Sequence, residues 1–349
     1  MKKTTKLVFL IYFIIFIKYK GKQNQKFQQN KKIIGFQICG IGNGHINQAI
    51  TVYNLLNKIY EIPVVIIYGK EEKEKNIFFC NSKIIYHKLH STLESMNNMN
   101  IKKFTKDFFM KKPTKYFEKN YDINIWLNFW ISDFFNYNTK QICIADQFSM
   151  PGMSILVNIS KILSNVIPVS IHLPSKCTKH LIPPLINIKK IKRANINKKI
   201  IVAYSTSGDD FLNKLILLAK KFNSYQFKYF TNIKINENLP KNIELFKVNK
   251  NNFQKYFKIC GAVLSTSGTT LTLECIFNSI PIAIMPCSKK HIEQKFNINK
   301  YVNKLKYALI INNNLNLDLL VNRNIEEYTL DLNEILKDRE RKILDLMEL

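Results

Sequence analysis

The glycine-rich segment 40–45 (GIGNGH) contains residue types that could bind an anion and accept a proton. Glycines let a backbone turn tightly and approach a ligand, and the N–H groups that open a following helix can bind a phosphate. Imidazole titrates close to neutral pH, so His45 is a candidate general base. An apolar run over 33–39 predicts a strand before the segment, and we expect a helix after it from Ile46 to about Ile59.

This segment departs from the fingerprint of dinucleotide-binding proteins. The fingerprint requires a third glycine where this chain has His45. The strand predicted next, over 63–68, leads into Gly69-Lys70 and not into an acidic residue that could bind a ribose. A nicotinamide cofactor is therefore disfavoured.

A second polar turn, 265–270 (STSGTT), follows a predicted strand and opens a predicted helix in the other half of the chain. Hydroxyl and N–H groups at such a turn suit a diphosphate. Glu274, just over one helical turn later, could bind the diol of a ribose. A third set, Glu293, Gln294 and Asn297, shares one helix face and could donate to and accept from the hydroxyls of a sugar.

Strand and helix patterns alternate on both sides of a break rich in proline and lysine. Before the break we predict further strands over 83–87, 141–145 and 166–172, two helices over 92–137 split at Pro113, and a helix from Gly152. After it we predict strands over 199–204, 226–230, 243–248, 260–265 and 280–285, and helices over 209–223, 270–277, 291–304 and 325–346. Such alternation indicates an α/β fold, with two Rossmann-like, doubly wound parallel-sheet domains facing across a cleft.

Four segments are expected along the chain. They are a leader over 1–32, a first domain over 33–185, a basic linker over 186–198 and a second domain over 199–349. The leader joins a basic start, an apolar run over 7–17 and an acid-free polar tract, as a signal or anchor segment does. That run is well short of the ~20 residues that a membrane-spanning helix needs.

The net charge of +28 comes almost entirely from lysine, because only four of the 53 basic residues are arginine. Sites for nucleic acid favour the bidentate fork of arginine, so we expect no specific nucleic-acid partner. The seven cysteines include no closely spaced pair and are expected to be free thiols in a reducing compartment. No His/Cys cluster has the spacing of zinc ligands.

Two of these segments together carry a family resemblance. Residues 42–46 (GNGHI) resemble the Gly-x-Gly-Asn-Gly-His segment of glycosyltransferases with the two-domain GT-B fold, related to the enzyme that adds N-acetylglucosamine to the cell-wall lipid precursor. Residues 264–286 (LSTSGTTLTLECIFNSIPIAIMP) and 292–310 are similar to the C-terminal signature of that family. Order and spacing agree from about residue 33 to residue 311.

The resemblance implies an inverting transfer from a nucleoside-diphosphate sugar, with a UDP-sugar favoured, to an acceptor hydroxyl. It implies no metal and no cofactor, since the nucleotide sugar is a substrate. The first domain would bind the acceptor and the second the donor. The implied site residues are His45 as the base and Asp146 for catalysis; Gly42, Asn43, Gly44, Ser267, Gly268 and Thr269 for the donor diphosphate; Glu274 for the ribose; and Glu293, Gln294 and Asn297 for the donor sugar.

Several alternatives remain open on the sequence alone. A nucleotide-sugar epimerase of the same fold is one, and a non-catalytic GT-B binding protein is another, since Cys275 follows Glu274 where the family has alanine. Residues 101–112 (IKKFTKDFFMKK) form a basic amphipathic helix pattern, typical of membrane-surface binding or of a helix docked on the first domain. With the leader 1–20, this pattern suggests membrane association or organelle targeting and would suit a lipid-linked acceptor.

Overall fold

The structure is a computed structural model. The chain separates into two compact units, Met1–Lys31 and Lys32–Leu349, and the described residues all belong to the second. They are 32–39, 42–68, 78–87, 121–127, 140–145, 166–171, 181–186, 190–205, 209–235, 238–286 and 292–348.

A parallel sheet of seven strands forms the first half, in the order β3-β2-β1-β4-β5-β6-β7. The strand order reverses beside β1, because the chain adds β2 and β3 on one side and then returns to the other. Ligands of such sheets bind at the carboxyl ends of the strands next to this reversal. The strands are β1 (Ile34–Cys39), β2 (Val64–Tyr68), β3 (Lys83–His87), β4 (Ile123–Leu127), β5 (Lys140–Ala145), β6 (Val166–Ile171) and β7 (Leu181–Ile182).

A parallel sheet of six strands forms the second half, in the order β10-β9-β8-β11-β12-β13. Its strand order reverses beside β8 in the same way. The strands are β8 (Asn197–Tyr204), β9 (Gln226–Phe230), β10 (Ile243–Phe246), β11 (Cys260–Thr266), β12 (Ile282–Met285) and β13 (Leu309–Ile310).

Helices connect and cover the strands of both sheets. Among the described residues, one face of the first sheet packs against an apolar core, and apolar cores cover both faces of the second sheet. The described helices are α1 (Gly42–Leu56), α2 (Asp209–Lys221), α3 (Lys250–Phe257), α4 (Thr269–Phe277), α5 (Ile292–Ile298), which continues as a π-helical segment (Asn299–Lys304), α6 (Leu317–Val321), α7 (Glu326–Lys337) and α8 (Arg339–Glu348).

The last helix, α8, packs on the core of the first sheet. Its Ile343, Leu346 and Met347 are buried there. At its start the buried Arg339 donates to the carbonyl oxygen of Ile186 at 2.6 Å, and burial lowers the pKa of this guanidinium. The end of the chain therefore contacts the first half, although the expected second domain runs to residue 349.

The prediction of two helices over 92–137 is wrong at β4, which lies between β1 and β5. All five residues of β4 are buried, and an apolar run of this length fits a central strand as well as a helix segment. Its Asn124 lies so close to Gly35 that a Cβ on Gly35 would clash with the amide oxygen. The rest of 92–137 lies outside the described residues.

Other boundaries also differ from expectation. The helix predicted over 325–346 is two helices, α7 and α8, which Asp338 separates. The short helix α3 was not predicted, although Asn249 caps it by accepting from the N–H groups of Asn251 and Asn252.

Within the described part of the chain, no helix is long and apolar enough to cross a membrane. The leader and the amphipathic segment 101–112 lie outside that part. Four of the described cysteines are buried free thiols, as expected: Cys39, Cys143, Cys260 and Cys275. Cys80 is also a free thiol but is exposed.

Candidate functional site

Helix α1 places His45 at the carboxyl end of β1. The helix begins at Gly42, four residues before the predicted start at Ile46, so Gly44 and His45 lie in its first turn. Glycine and asparagine are poor residues in a helix interior, and this misled the prediction. No acidic residue occupies this turn, and the half-buried His45 lies beside N–H groups that have no partner within the helix.

The first turn of α4 has the properties of an anion site. Gly268 is the N-cap residue, no side chain caps the helix, and the first turn contains no acidic residue. A Cβ on Gly268 would meet no atom of the described residues within 4 Å, so those residues leave the space in front of the helix open. The next residue, Thr269, is only 6% exposed, and its hydroxyl has no hydrogen-bond partner among the described residues.

Ser267 joins the α4 turn to the neighbouring helix α5. Its hydroxyl donates to the carbonyl oxygen of Gln294 at 2.9 Å. Its own carbonyl oxygen accepts from the carboxamide of Asn297 at 2.9 Å. Both Ser267 and Asn297 are buried. These polar groups, which the resemblance predicts to bind a donor, connect the α4 turn to α5 by hydrogen bonds. Their roles in donor binding stay predictions.

The two halves of the chain meet where α1 faces α4. Gln48 donates its carboxamide to the hydroxyl of Thr270 at 3.5 Å. A Cβ on Gly44, one turn before Gln48, would come within 3.3 Å of the same hydroxyl. The first turn of α1, which carries the candidate base, thus lies against the first turn of α4. The sequence did not point to Gln48, and it placed Thr270 only within the polar turn 265–270. Nothing in the sequence pairs two residues that lie 222 positions apart.

Glu274 lies four residues after Thr270, one turn further along the same face of α4, and is half-buried. Beyond it, the end of α4 is fixed to the segment between the sheets. Asn278 donates its carboxamide to the carbonyl of Glu274 at 2.8 Å and accepts from the N–H of Ile191 at 2.8 Å. Arg193 donates to the carbonyls of Ser279 and Cys260.

A second copy of the Ser-Thr-Ser-Gly motif was also missed. Residues 205–208 repeat the letters of 265–268. The strands β8 and β11 are parallel neighbours, with Tyr204 opposite Ser265. One copy directly follows β8 and the other begins with the last two residues of β11, so both lie at the same edge of the sheet. The repeat of the same four residue types is the feature of the sequence from which the second copy could have been recognised. Residues 206–208 lie outside the described residues.

Some of the predicted site lies outside what is described. This holds for Asp146 altogether and for the side chains of Asn43 and Glu293; Gly42 is described as the first residue of α1. Among the described residues, no group of three or more His, Cys, Asp or Glu side chains could hold a metal ion. A metal-independent reaction stays a prediction.

Comparison with known protein families gives a match that covers the end of the first half and most of the second half of the chain. Residues 158–327, just under half of the chain, match the model of glycosyl transferase family 1. No curated protein is significantly similar to the chain in sequence.

Several solved structures share the fold of the chain. The glycosyltransferase of kitacinnamycin is similar with a TM-score of 0.60 and 11% identity, over 92% of this chain and 99% of that chain. UGT89C1 of Arabidopsis thaliana, complexed with UDP-L-rhamnose, has a TM-score of 0.59 and 11% identity, over 92% and 99%. MurG of Acinetobacter baumannii has a TM-score of 0.50 and 10% identity, over 91% and 99%.

At such low identities the likeness shows the fold alone. The predicted fold class is therefore confirmed: parallel sheets in an α/β arrangement, as in GT-B glycosyltransferases. The family match adds the enzyme class, a glycosyltransferase. The particular kinship with the enzyme that modifies the cell-wall lipid precursor stays a prediction.

Proposed function

We propose that this glycosyltransferase moves a sugar from a nucleoside-diphosphate sugar, with a UDP-sugar as the favoured donor, to an acceptor hydroxyl. One observation supports the proposal most: the turn of α1 that carries His45 lies against the turn of α4 that carries Thr269. A proton acceptor on one side and an anion site on the other are what an inverting transfer requires.

In the proposed reaction the acceptor oxygen forms a bond to the anomeric carbon of the sugar while the bond from that carbon to the diphosphate breaks. The acceptor proton passes to the imidazole of His45, which must be neutral to accept it. The leaving nucleoside diphosphate gains negative charge as the bond breaks. The N–H groups in the first turn of α4 stabilise this charge, because they have no partner within the helix.

Thr269 contributes to donor binding through its buried hydroxyl. A buried hydroxyl without a partner is unfavourable by about 1–3 kcal/mol, and a phosphate oxygen next to Thr269 would supply the missing acceptor. Gly268 leaves room for the diphosphate in front of the helix. Glu274, further along α4, is the proposed acceptor of hydrogen bonds from the ribose hydroxyls, and Glu293, Gln294 and Asn297 are the proposed partners of the donor sugar.

A donor-binding experiment tests this proposal without knowledge of the acceptor. The thermal unfolding temperature of the full chain is measured with UDP-, GDP-, dTDP- and CMP-sugars in the absence of metal. We expect stabilisation by UDP-sugars, which Glu274→Ala and Thr269→Val should weaken. No stabilisation by any donor at millimolar concentration would contradict the proposal and favour a non-catalytic protein with this fold.

Product analysis separates transfer from epimerisation. A transferase attaches the sugar to an added acceptor, whereas an epimerase releases or converts it without one. The acceptor is therefore sought among lipid-linked and soluble alcohols with the donor that binds.

We also propose membrane association through residues 1–20 and 101–112, on their sequence pattern alone. Binding of the full chain to vesicles should rise with the fraction of anionic lipid and fall in Phe104→Ser. Vesicle binding that depends neither on the fraction of anionic lipid nor on Phe104 would contradict membrane association through these segments.

A further inference from the structure

We infer that Gln48 is a positioning residue for the proposed reaction: through its hydrogen bond to Thr270 it holds the turn of His45 at a fixed distance from the anion-binding turn of α4. The inference rests on the proposed function. It concerns a residue that neither the family resemblance nor the sequence pattern assigned to the site.

The position of Gln48 on α1 supports this role. Gln48 lies three residues after His45 and four after Gly44, so all three lie around the same side of the helix. The side chain of Gln48 is only 2% exposed. Its carboxamide lies 3.5 Å from the hydroxyl of Thr270, and Thr270 directly follows Thr269. One hydrogen bond thus connects the residues next to the proposed base and next to the proposed phosphate ligand.

Gly44 shows how closely the two helices approach. A Cβ at this position would lie 3.3 Å from the hydroxyl oxygen of Thr270 and 3.8 Å from its Cβ. The first distance is tighter than an ordinary contact, so the absence of a side chain at Gly44 leaves the hydroxyl free to accept from Gln48.

The two turns belong to helices that pack on different sheets, so the hydrogen bond between Gln48 and Thr270 connects the two halves of the protein. Helix α1 packs in the core of the first sheet, and α4 packs in a core of the second. A change in the packing of one half relative to the other would therefore move His45, and an acceptor bound beside it, away from a donor bound at α4. A misplacement of about 1 Å at a reacting group can lower a rate on the order of 100-fold.

The test is a double-mutant cycle on transfer by the full chain, with Gln48→Ala, Thr270→Val and the double variant. We expect each single variant to lower kcat about five- to tenfold, as loss of one hydrogen bond does, with the donor KM changed less than about twofold. The double variant should be no slower than the singles, because both remove the same bond. Thr270→Ser keeps the hydroxyl and should retain kcat within about twofold.

Two matched controls lie on α1. Asn47→Ala removes an exposed carboxamide next to Gln48. Thr51→Val removes a hydroxyl that donates within the helix, to the carbonyl of Asn47 at 3.1 Å. Both should keep the kcat of the unmodified protein. An unchanged kcat in Gln48→Ala, or losses that multiply in the double variant, would overturn the inference.

A second measurement separates this inference from the proposed function. Hydrogen–deuterium exchange needs no activity, and Gln48→Ala and Thr270→Val should each speed the exchange of the hydrogen-bonded amides in the second turns of α1 and α4, relative to the two controls. Unchanged exchange would overturn the role of Gln48 even if the protein transfers a sugar. A different result would overturn the proposed function: the unmodified protein neither binds a donor nor transfers a sugar, but exchange is faster in both variants. The catalytic part of this inference would then also be wrong, whereas the contact between Gln48 and Thr270 would stand.

Discussion

Asn297 donates its carboxamide to the carbonyl oxygen of Ser267 at 2.9 Å and so joins two polar segments that lie 30 residues apart. Both residues are buried, and the hydroxyl of Ser267 returns a bond to the same helix at the carbonyl of Gln294. The pair therefore fixes the turn before α4 against α5. The geometry of the proposed donor site depends on this contact before any donor binds.

Replacement of Asn297 should destabilise the fold and weaken donor binding together. In Asn297→Ala the buried carbonyl of Ser267 loses a donor, which lowers the free energy of unfolding by about 1–3 kcal/mol. Urea unfolding measures this change, and donor titration the affinity. Asn303→Ala is the matched control, because the exposed Asn303 donates its carboxamide to the side chain of Asn299 on its own helical segment. Equal effects of the two substitutions would contradict the prediction.

Replacement of Thr269 should weaken donor binding without lowering the stability of the unliganded protein. Thr269→Val removes a buried hydroxyl that has no partner among the described residues, so the unliganded protein should be as stable as before or more stable by up to about 1 kcal/mol. Donor affinity should fall, because a phosphate ligand is lost. Thr272→Val is the comparison: its hydroxyl donates to the carbonyl of Gly268 at 2.8 Å, so the unliganded protein should lose about 1 kcal/mol. A stabilised Thr272→Val or a destabilised Thr269→Val would reverse this assignment.

Replacement of Gly268 tests the open space before α4. The backbone there has φ −75° and ψ 136°, which alanine adopts readily, and its Cβ would meet no atom within 4 Å in the part of the chain that the structure describes. Gly268→Ala should therefore change the free energy of unfolding by only a few tenths of a kcal/mol, as expected for an N-cap glycine. Donor affinity should fall at least tenfold, because the methyl group occupies the proposed diphosphate position.

Gly261→Ala shows whether the unfolding measurement would detect a steric clash. Its Cβ would lie 2.7 Å from the backbone of Lys198 on the paired strand, so this substitution should destabilise the protein strongly. If Gly268→Ala leaves donor affinity intact, the diphosphate does not bind in front of α4.

The stability of the second half should fall at alkaline pH through Tyr225. Burial and a hydrogen bond to Asp318, at 2.5 Å, raise the pKa of Tyr225 from 10.0 to about 12. The folded state holds this proton more tightly than the unfolded state, so the contribution is complete below pH 10 and is lost as the pH rises through 12. Unfolding of the unmodified protein and of Tyr225→Phe, compared from pH 8 to pH 12, should show a stability difference that shrinks above pH 10. A constant difference would contradict the assignment.

The sequence predicted most strands of the fold because they are short apolar runs bounded by turns, as at β1 and β11. It did not predict β4, since its five residues lie among lysine- and phenylalanine-rich stretches that also suit a helix. The polar turn before α4 was visible in the sequence, but the partners of its side chains were not. The contact between Gln48 and Thr270 depends on how two separate cores pack, and no local pattern encodes that. The repeated Ser-Thr-Ser-Gly was legible in the sequence and was overlooked.

The most direct test of the central claim is the steady-state kinetics of transfer by His45→Ala, with donor affinity measured on the same sample. Without the base, kcat should fall by at least about 100-fold, while donor affinity stays within about twofold of the unmodified protein. In Glu274→Ala the pattern should reverse, with weaker donor binding and a smaller effect on kcat. If His45→Ala transfers sugar at the normal rate, or loses turnover and donor affinity in equal measure, His45 is not the base and the proposed division of roles between α1 and α4 is wrong.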